Sequence, residues 1–247
     1  IPSCTEKNLG ELKKLVLEKK CQLGIATDAD GDRFGIVDGK GNFVSQNLIL
    51  SLLLDYLVTK KKWRGGVCRS VATTHLIDRI ARKYGLPLFK TPVGFKYIAD
   101  LFLKKKIIFG AEESACMAIK DHLPEKDGIF AGLLVAEMMA ASGKSLSEQV
   151  DDLFQRYGKK VGKQKTIPLN PAREKKLKKL VKNPPHQIDK RKVVHFETID
   201  GIKLDFANDD WFLLRFSGTE PVIRCYAESE SQKELEKLVR FGLELVW

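Results

Sequence analysis

Six consecutive residues, Asp28-Ala29-Asp30-Gly31-Asp32-Arg33, set three carboxylates at alternate positions directly after the apolar run Leu23-Gly24-Ile25-Ala26. Three like charges on one tight loop repel one another unless a cation joins them. Oxygen-only donors suit a hard ion such as Mg2+, which keeps positions for water or a phosphoryl oxygen. Arg33, at the end of the loop, is a fork that matches a phosphate in two places. An EF-hand does not fit, because its loop wants Gly at the sixth position and Glu at the twelfth, where Arg33 and Gly39 stand. The plain alternative is a solvated acidic turn.

A second run, Arg215-Phe216-Ser217-Gly218-Thr219-Glu220-Pro221 with Arg224 just beyond, places two hydroxyls and a glycine between guanidinium groups. Backbone N–H groups, hydroxyls and arginine forks together make an anion cradle. Without a ligand it would be an ordinary hairpin with its arginines in solvent. Three weaker runs stand between these two. Gly110-Ala111-Glu112-Glu113-Ser114 follows an apolar stretch and offers a carboxylate and a hydroxyl suited to sugar hydroxyls. Thr91-Pro92-Val93-Gly94 is another turn at a strand end, and strand carboxyl ends are where α/β sheets bind ligands. Asp121-His122-Leu123-Pro124-Glu125-Lys126-Asp127-Gly128 brings a histidine and a lysine before a helix, a source of proton transfer and phosphate binding, or simply a charged surface loop.

The periodicity supplies elements to carry these runs. Residues 7–20 read as an amphipathic helix with Asn8 as its cap, and 23–26 as a buried strand. Strands at 34–37, 67–70, 87–89 and 107–109 alternate with helices at 47–57, 74–84, 95–103, 128–139 and 145–157. That alternation predicts βαβ units: a mixed, mainly parallel α/β sheet with helices on both faces. Residues 158–168 read as a linker or entry strand, and 171–181 as a helix stopped by Asn183-Pro184-Pro185. Strands at 193–198, 202–206, 211–216 and 222–228 and a helix at 231–245 then predict a smaller α+β domain.

Composition bounds the rest. The 247 residues are 43% hydrophobic and carry a net charge of +11, which draws anions in general, whether nucleic acid or a phosphorylated metabolite. No helix-turn-helix, zinc finger or aromatic ribonucleoprotein motif supports nucleic acid. The longest apolar stretch, 48–57, is interrupted by Ser51 and Asp55 and falls short of the ~20 residues that span a bilayer. Five cysteines, none in a Cys-x-x-Cys pair, point to reduced thiols and a cytoplasmic setting. The opening Ile1-Pro2-Ser3-Cys4 shows no signal-peptide pattern and no initiator Met, so the chain is expected to continue upstream.

In this order and spacing the five runs resemble the α-D-phosphohexomutase family, which includes phosphoglucomutase and phosphomannomutase, over essentially the whole chain. The resemblance implies four domains lining one cleft, with residues 1–42 ending domain two, 43–158 forming domain three and 159–247 forming domain four. It implies an isomerase that moves a phosphoryl group between an enzyme phosphoserine and a hexose phosphate, through a bisphosphate such as glucose 1,6-bisphosphate. Asp28, Asp30 and Asp32 would hold Mg2+, and Arg33 would approach the reacting phosphate. Thr91 and Gly94 would sense sugar orientation, and Glu112 and Ser114 would bind sugar hydroxyls. Arg215, Ser217, Gly218, Thr219 and Arg224 would grip the other phosphate.

Two departures qualify this. The family's Thr-Ala-Ser-His-Asn type loop is missing, so the chain is expected to lack turnover without a phosphoserine domain. Ala115 and Cys116 stand where many bacterial members have Gly-His, while 121–128 resembles the Asp-His-x-x-Glu-Lys-Asp-Gly stretch of phosphoglucomutases. That implies a preference for glucose over mannose, with Lys126 as phosphate ligand and His122 as proton carrier. Two other readings remain open. One is a non-catalytic phosphosugar-binding module. The other is a haloacid-dehalogenase-type phosphatase with Asp28 as nucleophile, Asp30 as acid and Asp209-Asp210 as metal ligands, although Asp32 stands where that motif has Thr.

Overall fold

The computed structural model describes residues 3–247; Ile1 and Pro2, part of the stretch read for a leader, lie outside it. The chain divides into two compact units, the first ending at Tyr157 and the second spanning Gly158–Trp247.

The first unit holds two sheets. Strands β1 (Leu23–Thr27), β2 (Phe34–Asp38) and β3 (Phe43–Val44) form an antiparallel ribbon in that order. Helix α1 (Gly10–Glu18) packs on it through Leu9, Leu12 and Val16 against Val37. The second sheet has the order β5-β4-β6-β7, from β4 (Gly66–Ser70), β5 (Leu88–Thr91), β6 (Ile107–Glu112) and β7 (Cys116–Ile119). Helices α2 (Gln46–Thr59), α3 (Leu76–Lys83), α5 (Gly128–Ser142) and α6 (Leu146–Tyr157) share one large core with it. Helix α4 (Phe95–Lys104) covers the other face through Phe95 and Ile98 against Cys68, Ile107 and Ala118. Helix α2 is buried all round from Ile49 to Val58, as a helix apolar on every side must be. Its single carboxylate, Asp55, is matched by both Nη atoms of Arg156 at 2.7 Å.

The second unit is a six-stranded antiparallel sheet ordered β8-β13-β12-β11-β10-β9. Its strands are β8 (Val161–Pro168), β9 (Gln187–Ile188), β10 (Arg191–Glu197), β11 (Ile202–Phe206), β12 (Trp211–Phe216) and β13 (Val222–Ser229). Helices α7 (Pro171–Lys182) and α8 (Gln232–Glu244) bury Leu177, Leu235, Leu238 and Val239 in its core. Both start on side-chain caps: Asn170 accepts the Arg173 N–H at 2.8 Å, with Pro171 at the first helical position, and Ser231 accepts the Glu234 N–H at 3.3 Å.

The α/β class with helices on both faces stands, but the sheet is less parallel than its sequence suggests. Parallel pairing is confined to β4 with β5 and with β6, where α3 and α4 supply the crossovers. The other strand neighbours of the first unit are joined by short connections, β7 included, and pair antiparallel. Strand β1 pairs only with β2 and is an edge, so Ile25 is 38% exposed where a buried strand was expected. The first helix begins at Gly10 after a short 3-10 turn, with Leu9 at its cap; the Asn8 amide instead donates to Ser3 Oγ at 2.8 Å. All five cysteines are free thiols. Among the described residues no single helix is long and apolar enough to cross a membrane.

Two buried charge networks fix the units internally. Arg69 on β4 is fully buried, forks onto Asp78 of α3 (Nη2–Oδ2 2.6 Å) and donates to the Ser70 carbonyl at 2.9 Å. Removing one partner of such a pair strands a charge in the core. Asp78→Ala is therefore expected to destabilise the first unit by about 3–5 kcal/mol in urea unfolding, with most of the loss recovered in Arg69→Met/Asp78→Leu.

In the second unit Asp210 is fully buried and takes hydrogen bonds from Ser229 at 2.7 Å, Asn208 at 2.9 Å, Arg191 at 3.0 Å and Lys160 at 3.1 Å. Burial pushes its carboxyl up, but Ser229, Asn208 and Lys160 outweigh that and hold it below its ordinary value. Such a group stabilises the fold above the unfolded carboxylate pKa of about 4, and that contribution is lost as the pH falls through the lower folded value. Thermal melts of wild type should thus fall steeply on acidification below about pH 4, and Asp210→Asn should lower stability at neutral pH and flatten that acid limb.

Candidate functional site

In the first unit, direct contacts tie four separate chain segments together. The acidic loop between β1 and β2 turns on Gly31 (φ +74°), and the Asp28 side chain accepts the Arg33 N–H at 3.1 Å. Asp28, Asp30 and Asp32 each present an oxygen within 4.8 Å of the others. The Arg33 guanidinium stands over two of them, with Nε 3.7 Å from Asp28 Oδ2 and 3.6 Å from Asp32 Oδ1. Asp32 Oδ1 is buried and accepts no hydrogen bond.

The segment before α5 closes on this loop. Lys126 Nζ donates to Asp32 Oδ2. Burial lowers the Lys126 pKa, but the hydrogen bond and charge of Asp32 outweigh it and leave the ammonium held in its charged form. The Gly128 N–H donates to the Gly31 carbonyl at 2.8 Å. Gly128 has no side chain because the Arg33 backbone occupies the space a Cβ would need. Asp127 caps α5 by accepting the Phe130 N–H at 2.8 Å, and its other oxygen lies 3.0 Å from His122 Nε2. The His122 ring stacks on Phe130 with centroids 4.5 Å apart. His122 is thus engaged by Asp127 and Phe130 of its own segment.

The remaining two segments lock onto each other. Glu112 is the last residue of β6, which runs three residues further than the sequence suggests. It is 4% exposed, and its Oε1 accepts the Gly94 N–H at 2.5 Å. One oxygen expected to meet a sugar therefore fixes a loop instead. Gly94 holds φ +134°, a conformation that L side chains rarely adopt. The Thr91 hydroxyl is buried, 3.5 Å from the Arg69 carbonyl. Ser114 Oγ donates to Cys116 Sγ at 3.3 Å, and that thiol also lies against Arg33. Burial pushes the Cys116 thiol up to about 11, so it packs as a neutral group.

In the second unit the loop between β12 and β13 carries Ser217, Gly218 and Thr219. Thr219 N–H lies 3.4 Å from Ser217 Oγ, and Arg224 Nε donates to that oxygen at 3.3 Å. Neither arginine is an unpaired cation: Arg215 Nε donates to Asp200 at 2.7 Å, and Arg224 Nη2 to Glu220 at 2.6 Å. Nothing stands within 4 Å of where a Gly218 Cβ would lie, so neither backbone nor packing demands glycine there; what it leaves is open approach to the loop.

Two family models match the chain: the phosphoglucomutase/phosphomannomutase alpha/beta/alpha domain III over residues 45–157, and the C-terminal domain over residues 171–242. The chain belongs to the phosphoglucomutase/phosphomannomutase family. A Thermococcus kodakarensis phosphoglucomutase/phosphomannomutase is 30% identical over 99% of this chain and 51% of its own length. A Pyrococcus abyssi protein, provisionally described as a phosphoglucosamine mutase, is 33% identical over 98% of this chain and 51% of its own. A Thermus thermophilus crystal structure, provisionally described as a phosphomannomutase, superposes with a TM-score of 0.82 at 30% identity, covering 99% of this chain and 51% of that one. The chain thus spans about half the length of the relatives it matches.

Phosphohexomutases generally use Mg2+, and the acidic loop fits that ion. Its donors are oxygens only, three of them converge, and one buried oxygen still lacks a hydrogen bond. A second convergent group, His195, Glu197 and Asp205 on β10 and β11, is opposed by a cation, because Lys203 stands directly across from Glu197 in the ladder. The phosphatase alternative needs Asp209-Asp210 as metal ligands, and the Asp210 carboxylate is already taken up by four donors.

Reasoning from sequence gives no structural role to four residues that hold these loops: Cys116, Asp127, Gly128 and Asp200. Asp127-Gly128 before an apolar helix is a recognisable cap signal. The other two act through long-range contacts with no local signature. Placing a methyl group on Gly128 must displace the Arg33 backbone, a change of the overpacking kind. Gly128→Ala should cost about 1–3 kcal/mol in thermal unfolding and weaken Mn2+ binding measured by calorimetry, whereas Gly218→Ala should leave the melting temperature nearly unchanged.

Proposed function

We propose that this chain supplies the metal loop, sugar loops and phosphate cradle of a hexose-phosphate mutase that interconverts hexose 1-phosphate and hexose 6-phosphate, working with a phosphoserine carried in a domain outside the chain. The observation that carries this reading is the closure of the three-aspartate loop by Arg33 and Lys126. Convergent carboxylates rimmed by two cations are what phosphoryl transfer asks for, since its catalysis is mainly positioning and charge neutralisation.

Mg2+, held by Asp28, Asp30 and Asp32, would neutralise charge on the transferring phosphoryl group. Arg33 and Lys126 would bind and orient that group's oxygens. Ser114 and Glu112 would hold sugar hydroxyls, with Gly94 and Thr91 shaping the loop that Glu112 fixes. Ser217, Thr219, the open backbone at Gly218, Arg215 and Arg224 would grip the phosphate that does not react. That grip must accept either phosphate of a glucose 1,6-bisphosphate intermediate, which fixed donors without a covalent role allow. His122, held by the α5 cap residue Asp127, would be the proton carrier. We rank glucose phosphates ahead of mannose phosphates on the 121–128 stretch, and place the reaction in the cytoplasm.

The test is complementation. Residues 1–247 alone, given glucose 1-phosphate, Mg2+ and glucose 1,6-bisphosphate, should show no turnover. Adding an amino-terminal half with the serine loop should restore it, with kcat/KM highest for glucose 1-phosphate among the glucose, mannose and glucosamine 1-phosphates. Turnover by the chain alone, or restored turnover that Asp30→Asn leaves intact, would overturn the reading.

A further inference from the structure

Arg33 stands over both Asp28 and Asp32, but of the three aspartates in the metal loop Asp32 is the one that also takes a direct hydrogen bond from a lysine. Lys126 Nζ bonds its Oδ2, while Oδ1 is buried and lies 3.6 Å from Arg33 Nε. A divalent ion joining Asp28, Asp30 and Asp32 would put a second, larger positive charge on the same carboxylate, and two cations that close repel strongly in a half-buried setting. The backbone cannot relieve this, because the Gly128 N–H holds the Gly31 carbonyl at 2.8 Å and Asp127 is fixed as the α5 cap. The Lys126 side chain can: it is 27% exposed, ends a flexible four-carbon stem, and makes no other hydrogen bond through Nζ.

We propose that Lys126 is a built-in competitor of the divalent cation for Asp32, and that its displacement by the cation turns it into a phosphate ligand, so that cation and phosphate bind cooperatively. This deepens the reading above and rests on Asp28, Asp30 and Asp32 holding the ion. Coupling of this kind is reciprocal: whatever phosphate gains from the ion, the ion gains from phosphate. It also makes the lysine costly to metal affinity on its own and useful only when both ligands are present.

The experiment is calorimetric titration of residues 1–247 with Mn2+, without and with inorganic phosphate, on wild type, Lys126→Met, Lys126→Gln, Lys126→Arg and Asp30→Asn, each checked for folding by its thermal melt. Without phosphate, Lys126→Met and Lys126→Gln should bind Mn2+ roughly five- to tenfold more tightly than wild type, and Lys126→Arg should stay near wild type because the charge is kept. Phosphate should tighten Mn2+ binding to wild type and do so much less in Lys126→Met. If Asp30→Asn loses Mn2+ while both neutral variants bind it no more tightly than wild type, the competitor idea fails and the metal loop stands. If Asp30→Asn binds Mn2+ as wild type does, the metal loop itself is misassigned and this proposal falls with it.

Discussion

A single backbone hydrogen bond, from the Gly128 amide to the Gly31 carbonyl, joins the acidic loop to the helix that starts beside it. The two partners lie far apart in sequence and belong to different layers of the first unit. Through this bond the loop is referenced to α5, whose body is packed into the largest core of the chain. The absent side chain at Gly128 lets the two backbones approach that closely, and the Asp127 cap keeps the donor in place. Lys126, beside these pinned neighbours, reaches Asp32.

The arginines singled out in each unit share a property: each has a carboxylate partner within its own unit. Arg33 leans on Asp28 and Asp32, Arg215 on Asp200, and Arg224 on Glu220. A phosphate arriving at such groups would exchange one anion for another and would not meet bare charge. Exchange lowers the gain from each contact, but it keeps the loops ordered and makes recognition depend on geometry as well as sign. The net charge of +11 therefore says little about where an anion binds; the partnered arginines say more.

The parts of this arrangement that could be read in the sequence are those written in consecutive residues. Asp28 to Arg33 and Arg215 to Thr219 announce themselves because their chemistry is local, and the helices of the first unit follow from their periodicity. What escaped is set by contacts between distant segments. Glu112 looked like a loop residue open to a sugar, yet β7 pairs alongside β6 and extends the strand through it. Strand β7 is only four residues long and apolar throughout, too short to distinguish from a loop by pattern. Ile25 looked buried because the run around it is apolar, but nothing in that run says that β1 pairs on one side only. His122 is a proton-transfer candidate by type, and its ring stack on Phe130 and its bond to Asp127 are contacts that the sequence pattern does not announce.

The five free thiols differ sharply in their surroundings. Burial pushes Cys68 and Cys225 up to about 12, and Cys4 and Cys116 up to about 11, whereas Cys21 sits exposed at the turn between α1 and β1. A maleimide or iodoacetamide at neutral pH reacts through the thiolate, so it meets one accessible sulfur and four that are shielded and protonated. The fold has in effect left a single handle for a dye or spin label, on the first unit and at the opposite end of β1 from the acidic loop, where a reporter can be attached without engineering.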